Sequence, residues 1–104
     1  MYYDSHVPHV VSSSEFDAWL AALKDKSARG RILARIVRLE AGNFGDAKRL
    51  KSGVSELRLD FGPGYRLYFT QRGESIVILL CAGDKSSQTG DIQRAKQIAA
   101  EFKE

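Results

Sequence analysis

Three cationic side chains stand out in the segment from Gly53 to Gln88, which alternates strand-like runs with tight turns. Arg58 and Arg66 lie in the first two strand-like runs, and Lys85 follows the third. Guanidinium and ammonium groups bind phosphate oxygens, and arginine often does so through two parallel hydrogen bonds. The segment therefore indicates a phosphate-binding site, with nucleic acid as the expected ligand.

The reaction that suits this set of side chains is RNA cleavage without a metal ion. In that reaction the ribose 2′-OH attacks the neighbouring phosphate, and Arg58 and Arg66 would stabilise the negative charge that develops there. A base must remove the 2′-OH proton, and an acid must protonate the leaving 5′-oxygen. Neighbouring cations lower the pKa of a lysine, so Lys85 or Lys51 is the expected base. Tyr68 shares the strand face of Arg66 and is expected to stack on a nucleobase or donate its hydroxyl.

Each of these residues also has a structural interpretation, which for any single residue is the more common one. Cross-strand ion pairs are open to both arginines, because acidic residues lie near them in the same segment. The candidate partners are Glu56 or Asp60 for Arg58, and Asp84 for Arg66. The lysine after the third strand has the alternative role of capping a loop. The sequence alone leaves both interpretations open.

A second group of basic residues precedes this segment. Nine of the sixteen Lys and Arg residues fall between positions 26 and 58, so the positive charge is concentrated there. Arg31, Arg35 and Arg38 recur at i, i+4 and i+7, which places them on one face of a predicted helix. That face is either a solvated helix surface or a basic ridge for RNA phosphates or an acidic partner. Together with Lys48 and Lys51, these arginines are the predicted RNA-binding residues.

Composition restricts the class of protein. A chain of 104 residues with 43% hydrophobic and 28% charged residues has the makeup of one globular domain, residues 1–104. Its longest apolar run, 76–82, is too short to cross a bilayer, and the start of the chain lacks the features of a secretory signal. The single cysteine, Cys81, and the two histidines, His6 and His9, give no zinc-ligand spacing. We therefore expect a cytoplasmic protein without a metal or other cofactor.

Hydrophobic periodicity predicts an α+β domain in the order (β)ααβββα. Residues 1–12 are expected to form a short edge strand or extended arm. The first helix is capped within the serine run 12–14, and the second is capped at Ser27 and ends near Gly42, a suitable left-handed exit. The predicted apolar stripe of the second helix comprises Ile32, Leu33, Ile36, Val37 and Leu39.

After a polar loop through 46–52, the period changes from 3.6 to 2, as expected for strands. Three strands are predicted around 56–61, 65–70 and 76–81. The third is continuously apolar and should be central, with both faces covered. A final helix is expected to begin after a cap at Ser87 or Thr89.

Four motifs in order give a more specific indication. The stretches WLAALKD, RGRILARIVRLEAGNFGDAK, GVSELRLDFGPGYRLYF and ILLCAGDKSSQTGDIQRAK closely resemble the RelE/ParE toxin superfamily, and within it the HigB-type group of addiction-module killer proteins. The resemblance spans about residues 16–99. It implies a RelE-like fold, in which an N-terminal helix hairpin packs on a twisted antiparallel sheet with a C-terminal helix.

The resemblance also implies a function and partners. It implies a cytoplasmic toxin of a type II toxin–antitoxin pair, bound by a cognate helix-turn-helix antitoxin in a toxin–antitoxin hetero-oligomer. Many members cleave mRNA on the ribosome as endoribonucleases, whereas the ParE branch inhibits DNA gyrase. Arg66 in GYR and Lys85 in GDK match positions that hold the phosphate in the cleaving members, and Arg58 in ELR matches a third.

Three hypotheses follow for the activity. The first is a ribosome-dependent endoribonuclease. The second is a non-enzymatic gyrase inhibitor, which is favoured by the absence of His and Tyr after Gln88, where cleaving members often carry an acid or base. The third is an interaction protein that keeps the fold without the toxic activity.

Overall fold

The computed structural model describes residues 7–73 and 75–102. The described elements form an α+β fold with one five-stranded sheet and three α-helices. In chain order they are β1 (His9–Ser12), α1 (Ser14–Ala22), α2 (Lys26–Glu40), β2 (Ala47–Arg49), β3 (Val54–Leu59), β4 (Tyr65–Arg72), β5 (Ile76–Asp84), a 3₁₀ turn (Lys85–Ser87) and α3 (Gln88–Glu101).

The sheet has the strand order β1-β5-β4-β3-β2 and is mixed. Strands β2 to β5 pair antiparallel, whereas β1 pairs parallel with β5. The prediction of a purely antiparallel sheet is therefore wrong at this edge, because the chain between the two paired strands supplies the crossover that a parallel pair requires. The predicted edge strand is confirmed at His9–Ser12, and residues 1–6 lie outside the described part of the chain.

Strand β2 was not predicted, since the sequence indicated a polar loop through 46–52. All three of its residues are exposed, so it carries no hydrophobic alternation that a sequence reading would detect. The central position of the apolar strand is confirmed: β5 lies between β1 and β4, and its residues from Val77 to Ala82 are buried.

Helices cover both faces of the sheet, so the alternating strand residues enter two separate cores. The first core lies on the α1 and α2 side and includes Phe16, Ala28, Ile32, Leu39, Leu57, Leu59, Leu67, Phe69, Val77 and Leu79. The second lies under α3 and includes Val54, Tyr68, Ile78, Leu80, Cys81, Ala95 and Ile98. The face that carries Arg58 and Arg66 is therefore partly covered by a helix.

Helix caps follow the sequence in part. Ser87 is the N-cap residue of α3, as predicted, but its side chain makes no capping hydrogen bond. Ser13 caps α1 by accepting a hydrogen bond from the backbone N–H of Phe16, as predicted. Asp25, rather than Ser27, caps α2, because its carboxylate accepts from two backbone N–H groups of the first turn. The helix exit at Gly42 is confirmed by its φ of 91°. The arrangement of α1 and α2 as a hairpin stays a prediction.

Only part of the predicted apolar stripe of α2 is buried. Ile32 and Leu39 are fully buried, whereas Leu33 and Val37 remain 45% and 61% exposed. The helix thus presents apolar side chains both to the core and to its outer surface. No helix within the described ranges is long and apolar enough to cross a membrane.

Candidate functional site

Strand pairing brings together the three cations that the sequence singled out. Arg58 of β3 and Arg66 of β4 are directly opposite each other in the antiparallel register and so share one face of the sheet. Lys85 follows the end of β5 in the 3₁₀ turn. With Asp46 and Asp60, these three residues line one cleft of about 220 Å³. A phosphate group in this cleft would meet cations from three parts of the chain.

Arg58 is paired with Asp46, in the loop before β2. Its Nη2 and Nε donate to Asp46 Oδ1 over 2.9 and 3.3 Å, and this hydrogen bonding raises the pKa of the guanidinium further. Both side chains are partly exposed, so the ion pair adds little to stability but orients the arginine at the mouth of the cleft. The expected pairing with Glu56 or Asp60 is therefore corrected to Asp46.

Arg66 is more deeply placed, with a side chain that is 12% exposed. Its Nε lies 3.6 Å from Oε2 of Glu56, and its Nη1 donates to the backbone carbonyls of Gly64 and Tyr65. The expected pairing with Asp84 is thus corrected to Glu56. The two opposed arginines each have their own carboxylate, which offsets the repulsion between like charges directly across a strand pair.

The position of Lys85 depends on the turn between β3 and β4. Gly64 has a φ of 79°, and a Cβ there would lie 2.9 Å from Cε and 3.0 Å from Cγ of Lys85. A glycine is required because the backbone must take a left-handed conformation and pass directly beside the lysine stem. The backbone on either side of Lys85 is held by Asp84, whose carboxylate accepts a hydrogen bond from Ser86 N–H over 2.8 Å. That hydrogen bonding, with the Ser86 hydroxyl as the largest contributor, lowers the pKa of Asp84.

Tyr68 lies on the same face as Arg66, as predicted, but it is fully buried in the core beneath α3. Its hydroxyl is also buried and has no hydrogen-bond partner in the described part of the chain. Burial raises the pKa of this hydroxyl, and the nearby Glu56 adds to the effect. The ring therefore cannot stack on a nucleobase in this conformation, because α3 covers the part of the face on which Tyr68 lies.

The basic ridge of α2 lines a second cleft, of about 330 Å³, against the turn between β3 and β4. Arg31 and Arg38 are exposed, and the guanidinium carbon of Arg31 lies 4.8 Å from the centre of the Phe61 ring. Asp60 belongs to the walls of both clefts, so the two are neighbours. The ridge thus extends the positive surface beyond the three-cation cleft.

Arg35 has a different environment from the other two ridge arginines. It donates hydrogen bonds to the backbone carbonyls of Arg58, Phe44 and Asp46 over 2.9 to 3.1 Å. Burial lowers the pKa of Arg35, with Arg38 as a further cause. The side chain therefore holds the loop that carries Asp46, and both hydrogens of its Nη2 are used within the protein.

The two lysines predicted to bind RNA are exposed at the β2 side of the sheet. Lys48 is directly opposite Glu56 in the register, so it shares the face of Arg58. Lys51 lies in the tight turn before β3 and does not line the three-cation cleft. Its proposed role as a base stays a prediction.

Sequence reasoning missed the acidic members of the site. Asp46 and Asp60 line the cleft, and Glu56 lies behind Arg66 with Gln88 hydrogen-bonded to it. The sequence did indicate Glu56 as a partner of an arginine, because Glu56 and Arg58 lie two positions apart on one strand. The arginine that Glu56 meets in the structure is Arg66. Nothing local indicated Asp46, because it reaches Arg58 only through the pairing of β2 with β3. Within the described ranges, no group of three or more His, Cys, Asp or Glu residues is placed to hold a metal ion.

Comparison with known proteins assigns the chain to a family over a range that contains the three-cation cleft. The sequence profile described as "Phage derived protein Gp49-like (DUF891)" matches residues 18–103. The chain belongs to the Gp49-like family. This is a RelE-like toxin family of addiction modules, and the matched range includes every residue of the cleft. A protein of Haemophilus influenzae named "Uncharacterized protein" is 52% identical over 87 residues, which cover 84% of this chain and 88% of the relative.

The family assignment confirms the predicted RelE-like toxin resemblance at this level. The narrower HigB assignment stays a prediction. The roles of Arg58, Arg66 and Lys85 in a reaction also stay predictions.

Proposed function

We propose that this Gp49-like protein is the toxin of a type II toxin–antitoxin system and cleaves mRNA on the ribosome without a metal ion. The observation that carries the proposal is the single cleft that gathers Arg58, Arg66 and Lys85. Three cations from separate strand ends provide donors for the oxygens of one phosphodiester, whose charge increases in the transition state. The protein would act in the cytoplasm, where ribosomes and mRNA are found.

Two groups in the cleft are candidates for proton transfer. Lys85 is exposed and directed by its contact with Gly64. Asp60 is an exposed carboxylate without a hydrogen bond or ion pair to any described residue. A carboxylate that is not engaged elsewhere can accept the 2′-OH proton, and Lys85, which the sequence indicated as a base, would then act as the acid that protonates the leaving oxygen. The dependence of the cleavage rate on pH tests these two roles. Asp60→Asn should change the acidic limb of the profile, and Lys85→Arg should change the basic limb.

The test is mapping of mRNA 5′ ends after induction of the toxin in growing cells. Breaks within translated codons are expected, and Arg66→Ala or Lys85→Ala should reduce them at least tenfold. Arg94→Ala is the matched control, because Arg94 is an exposed arginine that pairs with Glu15 away from the cleft. Intact message during full growth arrest would contradict the proposal.

The second candidate function is non-enzymatic inhibition of DNA gyrase, as in the ParE branch. The burial of Tyr68 favours it, because this removes the one tyrosine that the sequence offered as a proton donor near the cations. Supercoiling by purified gyrase in the presence of the toxin distinguishes the two functions. Inhibition without mRNA breaks would establish the second, and unchanged supercoiling would exclude it. A chain that arrests no growth when expressed alone would instead be an interaction protein without toxicity.

We further propose that the cognate helix-turn-helix antitoxin binds the outer surface of α2. This surface has exposed positions at helical spacing that include Gly30, Leu33 and Val37, next to the basic ridge. An amphipathic segment with an acidic flank would cover the apolar side chains and pair with the arginines. Co-expression with the neighbouring reading frame should restore growth. Leu33→Asp should weaken that complex, whereas Ala22→Asp, at an exposed position on α1, should leave it intact.

A further inference from the structure

Glu56 is a carboxylate in an unusual environment. It is 3% exposed, on a strand face covered by α3, opposite the fully buried Tyr68. A buried carboxylate is costly unless it is paired and hydrogen-bonded. The contacts of Glu56 therefore indicate its role.

Two side chains converge on one oxygen of this carboxylate. Gln88, the first residue of α3, donates from Nε2 to Glu56 Oε2 over 3.1 Å. The Nε of Arg66 lies 3.6 Å from the same oxygen, which is beyond a normal hydrogen bond and within the range of charge attraction. Glu56 thus connects the start of α3 with the arginine of the cleft.

The remaining contacts of Arg66 define which side of its guanidinium is available. Its Nε is buried without a hydrogen bond and faces Glu56, and its Nη1 donates to the carbonyls of Gly64 and Tyr65. Nη2 makes no hydrogen bond to the described residues, and Arg66 lines the three-cation cleft. Two of the three guanidinium nitrogens therefore face groups of the protein, and Nη2 is the nitrogen left for a ligand.

We propose that Glu56 is a positioning residue for Arg66, anchored to α3 through Gln88. Its charge attracts the Nε–H of the guanidinium beneath α3 and so fixes the side chain at the cleft, where Nη2 is left to donate to a phosphate. This inference rests on the proposed phosphate chemistry of the cleft. It adds that the start of α3 is part of the catalytic arrangement, although α3 contributes no residue to the lining of the cleft.

The test uses Glu56→Gln, which keeps the shape of the side chain and removes its charge. Loss of a fixed orientation at a catalytic arginine is expected to lower mRNA cleavage by about tenfold to a hundredfold. When Glu56→Gln is added to the Arg66→Ala variant, mRNA cleavage should not fall further. When it is added to the Lys85→Ala variant, cleavage should fall by the product of the two single-variant factors. A purely structural role would lower activity by the same factor in both backgrounds, and that result would overturn the proposal.

The matched control is Glu15→Gln, which removes the charge of a partly exposed glutamate from its ion pair with Arg94 and should leave cleavage unchanged. A second measurement does not depend on cleavage. Solvent exchange of the Arg66 Nε–H, followed by NMR, should be slow in the native protein and at least tenfold faster in Glu56→Gln. Fast exchange in both would overturn the inference.

The two measurements also separate this inference from the proposed function. If the protein cleaves no RNA but the Arg66 signal responds to Glu56→Gln, the endoribonuclease proposal fails while the positioning role stands. If Glu56→Gln does not fold, Gln88→Ala removes the hydrogen bond and keeps the charge, and it too should accelerate exchange at Arg66. An unchanged exchange rate in a folded Gln88→Ala protein would contradict the anchoring by α3.

Discussion

Replacing Gly83 with alanine tests whether α3 packs on the sheet as described. Gly83 lies in β5 directly opposite Arg66, on the face that receives the first turn of α3. An alanine Cβ at this position would lie 1.9 Å from Oδ2 of Asp91 and 2.6 Å from Oγ of Ser87. These two side chains are hydrogen-bonded to each other. The added methyl group must therefore displace the start of the helix or break that hydrogen bond.

The magnitude follows from three contributions. Overpacking by a methyl group costs about 1–3 kcal/mol, and the loss of the hydrogen bond costs about 1 kcal/mol. The smaller conformational entropy of the unfolded alanine chain offsets about 0.4–1 kcal/mol. The net destabilisation is about 1–3.5 kcal/mol, equivalent to a fall in Tm of roughly 4–28 °C for a domain of this size. Because Gln88 lies in the displaced turn, mRNA cleavage should fall as well.

The assay is urea unfolding followed by circular dichroism, with Gly30→Ala as the matched control. Gly30 lies within α2 and has open space around its Cβ position, so the same substitution should stabilise the protein by about 0.5–1 kcal/mol. The two variants therefore carry the same chemical change with opposite expected signs. A Gly83→Ala protein as stable as the native one would refute the described packing of α3 against β5.

The remaining predictions concern reactivity, pH dependence and the orientation of α2. Cys81 is 4% exposed and burial raises its pKa to about 12, so iodoacetamide should label it only in denaturant; rapid labelling of the native protein would contradict its burial. Hydrogen bonds to Asp84, chiefly from Ser86, lower its pKa below the ordinary value of 3.8. The stability this group adds is therefore complete above that value and lost as pH falls below it. Acid titration of stability should accordingly be shallower for Asp84→Asn than for the native protein, and equal slopes would refute the assigned contact. Ile32→Ala should cost about 2–5 kcal/mol because the side chain is fully buried, whereas Val37→Ala, at an exposed position of the same helix, should stay within about 0.5 kcal/mol of the native value in urea unfolding. Equal losses at the two positions would show that α2 is rotated from its described orientation.

Much of the fold was predictable because it depends on local signals. The period of 2 in β3 and β4, the continuous apolar run of β5 and the serine cap of α1 each determine an element within a few residues of sequence. Strand β2 and the parallel pairing of β1 were not predictable in this way. Their formation depends on hydrogen bonds to strands that are distant in the sequence or on residues with no apolar pattern.

The candidate site was likewise predictable only in part. Arg58, Arg66 and Lys85 were recognisable from residue type and position, and the structure places all three in one cleft. The burial of Tyr68 was not recognisable from the sequence, because alternation shows which face a strand residue occupies but not whether a helix covers that face. The structure shows that α3 covers it.

The sequence by itself determined the identity of the cations, the order of the three helices and of every strand except β2, and the family to which the chain belongs. Only the tertiary structure decided which carboxylate meets which arginine. Asp46 meets Arg58 because β2 pairs with β3. Glu56 meets Arg66 on the neighbouring strand and is joined to α3 by Gln88, 32 positions along the chain. The reason is physical: an ion pair is set by distance and burial in the folded chain, and residues far apart in sequence acquire both only when the strands and helices pack.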